Sequence, residues 1–401
     1  MYITILGRQP VLGVAELERV FGGNAVTPIS ELAALVDGDN VHIEQLGGTL
    51  KAGKVIIDMP LGDWTKVSQK IIQHYANQWS DYDGKITLGI SAYGFETDAR
   101  AVQKTGIVLK QKLKSTGVSL RLIPNSEPTL NTATSHHNKL GLSSNKVELL
   151  VVQAKNGKIF IAESTGAQNI TAYTRRDQER PKRDAFVGML PPKLAQIMIN
   201  LAAIRLPDSA NSQESTADNH APVILDPFCG TGVVLQEAAL KGYSVYGSDL
   251  SEKMIRYSRD NLNWLADTHH IDIDWYLHEG DAMDTTWQQP IDAVVGESYL
   301  GQPFSAPPSP AKLDEVRRNC NHIITDFLKN LSPQINSGIP VVLAIPAWRN
   351  KEGSFTHLPL IATIAQLGFK PHEFTNVSQN DLLYYREDQV VARELLVLTK
   401  I

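Results

Sequence analysis

The stretch Val223-Ile-Leu-Asp-Pro-Phe-Cys-Gly-Thr-Gly232 decides the fold. Val223–Leu225 reads as a short buried strand, and a helix over Gly232–Lys241 follows it. Between them, Gly230 and Gly232 let the backbone approach a ligand closely, and the first N–H groups of the helix can hold a carboxylate or phosphate. Any glycine turn between strand and helix looks alike, so three acids carry the decision. Asp226 stands at the carboxyl end of the strand, where it can accept from an ammonium group. Asp249 closes the next strand, Ser244–Gly247, where an acid meets ribose hydroxyls. Glu279-Gly280-Asp281 ends the third, where a carboxylate can take the amino group of adenine. Phe228, Leu250 and Ala282 adjoin these positions and are grouped with them. No Lys-Ser/Thr pair follows the glycines, so this is not a P-loop. An acid at 226 repels a pyrophosphate but suits a zwitterionic amino acid, which favours S-adenosylmethionine over a dinucleotide.

Outward from this stretch, strands and helices alternate. Helix Glu252–Trp264 precedes strands at Asp274–His278, Ala293–Gly296 and Val341–Ile345, so residues 185–401 are expected to form an α/β domain on a parallel, doubly wound sheet. The last runs, Glu373–Val377 and Glu394–Thr399, are expected to close it as an antiparallel pair. Ahead of it, Pro192–Leu206 is a helix with one apolar side, and residues 207–222 read as a disordered surface loop. Residues 1–60 give a strand at Tyr2–Leu6, a helix near Val14–Phe21 and apolar runs at Ala33–Val36 and Val55–Ile57, with turns at Gly22, Gly23, Gly47, Gly48 and Gly53. That is a small α+β module. Residues 61–165 add helices near Trp64–Trp79 and Asp98–Thr116 and strands at Ile86–Tyr93, Ser119–Ile123, Lys146–Gln153 and Lys158–Glu163. Pro124–Leu142 has no assignment, and residues 166–184 read as a linker.

The 401 residues carry a net charge of −5, which excludes binding nucleic acid by overall basicity and requires a local patch. Between Arg100 and Arg121 basic residues occur without any acid. Val102, Gly106, Leu109 and Leu113 build one buried helix face, and Lys104, Lys110, Lys112 and Lys114 fall around the remainder. They suit phosphate contact or a plain solvated face. The linker holds a second cluster, Arg175, Arg176, Arg180, Lys182 and Arg183, offset by Asp177, Glu179 and Asp184. The two cysteines, Cys229 and Cys320, are too few for a disulfide framework. Cys229 reads as a packed small residue, and His136-His137 as a loop surface rather than a metal pair. With no apolar run long enough to span a membrane and no basic segment before an apolar one at the start, a soluble cytoplasmic protein without bound metal is expected.

DPFCGTG with Asp249 and Gly280-Asp281-Ala282 resembles class I methyltransferases. RRDQERPKRDAFVGMLPPKLAQIMINLA from Arg175 and the opening MYITILGRQPVLGVAELE resemble the THUMP-containing tRNA guanosine N2-methyltransferases that act at position 10. The likeness covers nearly the whole chain and is vaguest over 61–165. It implies an α/β protein whose Rossmann-like class I methyltransferase domain (185–401) follows a ferredoxin-like module (1–60) and a THUMP domain (61–165) that grip tRNA. It also implies S-adenosylmethionine as cofactor and the exocyclic N2 amine of a guanine as acceptor. A small activating subunit accompanies some members and not others.

The departure lies at motif IV. The family shows Asp/Asn-Pro-Pro-Tyr-Gly, whereas Asp292-Ala-Val-Val-Gly-Glu-Ser-Tyr-Leu-Gly301 aligns here. Glu297 falls at the acid position, Ser298 and Tyr299 replace the prolines, and Gly301 is retained. A guanine N2 lone pair is delocalised into the ring, so an oxygen accepting its N–H helps localise it, and an aromatic face holds the flipped base. Glu297 and Tyr299 can fill those roles. The Pro-rich stretch Gly301–Pro310 is either a stiff lid over the base or a surface loop. Two other functions compete: amino-methylation of rRNA or DNA, and non-catalytic RNA binding.

Overall fold

The computed structural model describes residues 1–184, 189–206, 221–288 and 290–401. Residues 185–188, 207–220 and 289, including most of the stretch read as a surface loop, lie outside the described residues. The chain divides into two compact units, Met1–Ala172 and Tyr173–Ile401.

The first unit runs β1 (Tyr2–Leu6), α1 (Pro10–Phe21), β2 (Val26–Pro28), β3 (Ala33–Val36), β4 (Thr49–Met59) and α2 (Trp64–Gln78). It continues through β5 (Lys85–Tyr93), α3 (Ala99–Ser115), β6 (Ser119–Leu122), α4 (Thr132–His137), β7 (Lys146–Gln153) and β8 (Ile159–Ala167). One sheet of order β2-β3-β1-β4-β8-β7-β5-β6 contains every strand. The join is β4, which pairs antiparallel with β1 along one edge and with β8 along the other. The apolar run at Val55–Ile57 is therefore part of an 11-residue strand that carries the sheet across the expected module boundary at residue 60. Gly53 lies inside that strand instead of at a turn. A Cβ there would stand 2.8 Å from the Glu163 carbonyl oxygen, so the residue admits a bulged β8.

Helix α3 is capped by Asp98, whose side chain accepts from the Ala101 N–H, and it buries Val102, Thr105, Gly106, Leu109 and Leu113. Gly106 permits close packing on β6, since a Cβ would fall 2.4 Å from Leu122 Cδ1. The unassigned stretch after β6 holds α4 and is anchored by a small apolar cluster of Ile123, Leu130 and Leu140.

Helix α5 (Ile170–Gln178) occupies half of the expected linker. The second unit then follows the order α6 (Pro192–Ala202), β9 (Val223–Asp226), α7 (Val233–Leu240), β10 (Ser244–Asp249), α8 (Glu252–His269), β11 (Trp275–Glu279) and β12 (Ala293–Glu297). It ends with α9 (Pro310–Leu331), β13 (Pro340–Arg349), β14 (Phe355–Thr356), β15 (Phe369–Pro371), β16 (Leu383–Tyr384) and β17 (Val391–Lys400). The sheet order is β11-β10-β9-β12-β13-β17-β15. Strands β11 to β13 are parallel, and β17 runs antiparallel between β13 and β15. Neighbours change hand at β9, the crevice where ligands of doubly wound sheets bind.

Two expectations need correcting. Glu373–Val377 is not a strand; β17 pairs antiparallel with β13, β15 and β16, and β15 is placed by buried Phe369. The sequence reading also put no helix between 301 and 341. There, α9 buries Val316, Cys320, Ile324, Phe327 and Leu331 against the sheet, a pattern at helical spacing that starts where the proline run ends. Pro310 itself is the first residue of that helix and Ser309 its cap. Of Gly301–Pro310, Gly301 lines the cavity described below and Phe304 packs against the core.

Candidate functional site

A cavity of about 590 Å³ opens at the carboxyl ends of β9, β10 and β12. Asp226, Phe228, Gly230, Asp249, Leu250, Asp281, Ala282, Glu297 and Tyr299, residues singled out in the sequence, all line it. Gly232 does not line it; it shapes the turn. It is the residue before α7, at φ 79°, and a Cβ there would stand 2.9 Å from Ser258 Oγ.

The glycine loop is fixed from both sides. Asp249 Oδ2 accepts the Gly230 N–H at 2.9 Å, and Oδ1 accepts the Ser251 N–H at 2.9 Å. Ser258 Oγ donates to the Gly230 carbonyl at 2.9 Å. Asn261 Nδ2 donates to the carbonyls of Thr231 (2.8 Å) and Lys182 (3.0 Å), and its Oδ1 accepts the Lys182 N–H. One amide thus ties the segment before α6 to the cofactor-type loop, and Leu190 from that segment joins the cavity lining. Asn261 carries no signal in the sequence; it is one polar residue on an amphipathic helix.

Asp226 is 2% exposed, with the Phe228 N–H on its Oδ1 at 3.2 Å. Burial first, then the carboxylates of Asp249 and Glu297, hold it well above the ordinary carboxylate range, against that single hydrogen bond. Burial likewise raises Asp249. Gly296 on β12 makes the space, because a Cβ there would lie 2.5 Å from Asp226 Oδ1. An electronegative, desolvated site of this kind favours a cation, and a buried acid beside bare backbone fits the ammonium and sulfonium charges of S-adenosylmethionine better than any phosphate. Cys229 is buried against Ser258 and its thiol is pushed well up by burial, so it is packing, as read.

At motif IV the backbone continues the strand. The N–H and the hydroxyl of Ser298 both donate to the Ala344 carbonyl at 3.0 Å, giving the serine an acceptor that a proline would not need. Tyr299 is 44% exposed at the cavity mouth. Glu297 is ion-paired through Oε1 with Arg393 Nε of β17, a partner that sequence reading missed. Asn319 and Ile323, from the unforeseen α9, complete the wall.

The basic residues separate. Lys104, Lys110, Lys112 and Lys114 are exposed on α3. Arg175 and Arg183 are exposed in the second unit. Arg176 instead chelates Glu237 at 2.6 and 3.2 Å, and Arg180 is 3% exposed with Asp177 at 3.9 Å. Arg176 on α5 is thus engaged by Glu237 and Arg180, just beyond the helix, is buried, so these two are not free surface charges like Arg175 and Arg183.

Residues 224–322 match a family model described as a methyltransferase domain. Over 178 residues the chain is 30% identical to the tRNA (guanine(10)-N2)-dimethyltransferase of Methanothermobacter thermautotrophicus, covering 44% of this chain and 45% of that protein. The chain thus spans less than half the length of this relative. It is 34% identical over 135 residues to the "probable tRNA (guanine(10)-N2)-dimethyltransferase" of Methanothermococcus thermolithotrophicus, covering 33% of this chain and 73% of that one. In fold it resembles the crystal structure of TrmN from Thermus thermophilus, with a TM-score of 0.50 and 17% identity over 100% of this chain and 99% of that one. With a doubly wound domain carrying the family's glycine loop and acids in one cavity, and a relative matched over most of its length, this chain belongs to the tRNA (guanine(10)-N2)-dimethyltransferase family.

Proposed function

We propose that the chain transfers methyl groups from S-adenosylmethionine to the exocyclic N2 amine of a guanosine in tRNA, of the position-10 type. The observation that carries this reading is the convergence of Asp226, Asp249, Asp281, Glu297 and Tyr299 on one cavity beside the glycine loop. Asp226 with Phe228 and Gly230 would hold the methionine end, on a turn that Gly232 shapes, Asp249 and Leu250 the ribose, and Asp281 with Ala282 the adenine. When bound, the cofactor supplies an electrophilic methyl on sulfur with a good leaving group. The protein's own work is to position and desolvate. Tyr299 stacks on the extruded base. Glu297, with Oε1 engaged by Arg393, presents Oε2 to the amine N–H, concentrates electron density on nitrogen and takes the proton released.

Residues 1–60 and 61–165, the ferredoxin-like and THUMP-like parts, are the tRNA grip on this reading, with Lys104, Lys110, Lys112 and Lys114 on phosphates and Arg175 and Arg183 as further contacts. Among the described residues no helix is long and apolar enough to cross a membrane. On this reading the protein works in the cytoplasm.

Nucleoside mass spectrometry of tRNA from a strain lacking the protein tests the activity. N2-methylated guanosine should disappear; an unchanged tRNA profile refutes the reading, and loss of a mark from rRNA or DNA redirects it. The grip is tested separately. Lys110, Lys112 and Lys114 changed together to Glu should weaken tRNA binding. The slope of log affinity against log salt should flatten by roughly 0.7–0.9 for each phosphate no longer neutralised. An unaltered slope returns those lysines to a solvated face.

A further inference from the structure

We infer that Arg393 is a positioning residue for methyl transfer: it holds Glu297, one methylene longer than the family's acid, in the one orientation that serves the acceptor amine. The inference rests on the function proposed above. Its basis is the register of three adjacent strands. Glu297 ends β12 opposite Ala344 of β13, and Arg393 of β17 lies opposite Pro346 of β13. Side chains alternate faces along a strand, so Glu297, Ala344, Pro346 and Arg393 share one face of the sheet. Arg393 is two strands across and two residues further on, about 10 Å sideways and about 7 Å along. Only two long side chains meet over that separation, and they meet because the residues between them, Ala344 and Pro346, are small.

Burial makes the pair consequential. The two side chains are 10% and 15% exposed, and the bond runs from Arg393 Nε to Glu297 Oε1. Glu297 lines the cavity, whereas Arg393 is not among the lining residues, so it acts through the carboxylate and not on the substrate. A glutamate free at χ3 would spread over several rotamers, and a reacting group misplaced by about 1 Å costs about 10²-fold in rate. Charge-assisted pairing at one oxygen removes that freedom and leaves the other oxygen for the amine. The unusual motif IV is then a compensated one: the longer acid and its arginine together replace the shorter acid.

The experiment is a kinetic cycle with the full chain, tRNA and S-adenosylmethionine, using wild type, R393Q, E297Q, the double variant and R393K. R393Q should lower kcat by about 10²-fold with KM for S-adenosylmethionine nearly unchanged. The double variant should be no slower than E297Q, because the arginine has nothing left to position. R393K should recover part of the rate. Losses that multiply in the double variant, or an R393Q defect confined to KM, overturn the inference. E297D supplies an arm that does not disturb Arg393's own packing. The shorter acid cannot reach the guanidinium, so the rate should fall; a rate equal to or above wild type overturns the inference even where R393Q fails to fold. Should wild type transfer no methyl to tRNA, the proposed function falls and takes this inference with it. Transfer by wild type with a multiplicative cycle removes the inference alone.

Discussion

Asp226→Asn should abolish cofactor binding and make the protein more stable. Replacing a buried carboxylate that faces a cationic ligand forfeits about 2–5 kcal/mol of binding, so calorimetric affinity for S-adenosylmethionine should fall beyond ready measurement. The stability gain follows from where the acid sits. Burial and the neighbouring carboxylates raise its folded-state pKa well above the ordinary 3.8. As pH rises through 3.8 the unfolded chain releases this proton while the folded chain retains it, so Asp226 contributes progressively less stability up to its raised folded value. Asparagine has no such charge to desolvate. Its melting temperature should exceed that of wild type at pH 8, by about 2–4 °C for each kcal/mol relieved, and the advantage should vanish on acidification below the unfolded carboxyl value. A lower melting temperature for the variant at pH 8, or intact cofactor affinity, would refute the assignment. The exchange is the usual one at a binding site, where stability is given up to keep a charge ready for its ligand.

Lys51→Ala should destabilise the first unit by about 3–5 kcal/mol. Lys51 on β4 and Glu148 on β7 form an ion pair with side chains 2% and 0% exposed. Lys51 Nζ also donates to the Leu130 carbonyl at 2.7 Å, and Ser91 Oγ donates to Glu148 Oε1 at 2.6 Å while accepting the Leu130 N–H at 2.9 Å. Burial lowers the lysine's pKa, opposed by the glutamate that pairs with it. Truncating the lysine strands a carboxylate in the interior and releases the segment that Leu130 anchors. Replacing both partners, as in Lys51→Met with Glu148→Leu, should cost far less, because no charge is then left unpaired. Thermal unfolding of the two variants checks this. A single variant as stable as the double would show that water reaches Glu148.

The network also explains why the sequence around residues 124–142 resisted assignment. Its backbone at Leu130 is held by Lys51 and Ser91, which lie 79 and 39 residues away in the chain and are themselves fixed by Glu148. Local propensity carries no trace of such partners. The same holds for Arg393, which falls just outside the run expected at Glu394–Thr399 and gains its partner only when β17 is inserted beside β13. Arg176 and Arg180 erred in the opposite direction. They read as a basic surface because their neighbours are charged, yet Arg176 on α5 pairs with Glu237 and Arg180, just after the helix, is buried near Asp177. Helix α9 is different: its apolar period is present in the sequence, beginning where the proline run ends with Pro310 as its first residue.

By itself the sequence determined the alternation of strands and helices, the glycine turn after β9 and the three acids at successive strand ends. Those depend on short-range period and on backbone freedom, which neighbouring residues specify. Tertiary structure alone decided that residues 1–60 and 61–167 share one sheet, that Asn261 ties the chain before α6 to the glycine loop, and that Glu297 has a guanidinium for a partner. Each is a pairing between distant segments, and its strength comes from exclusion of water that exists only after the strands have assembled.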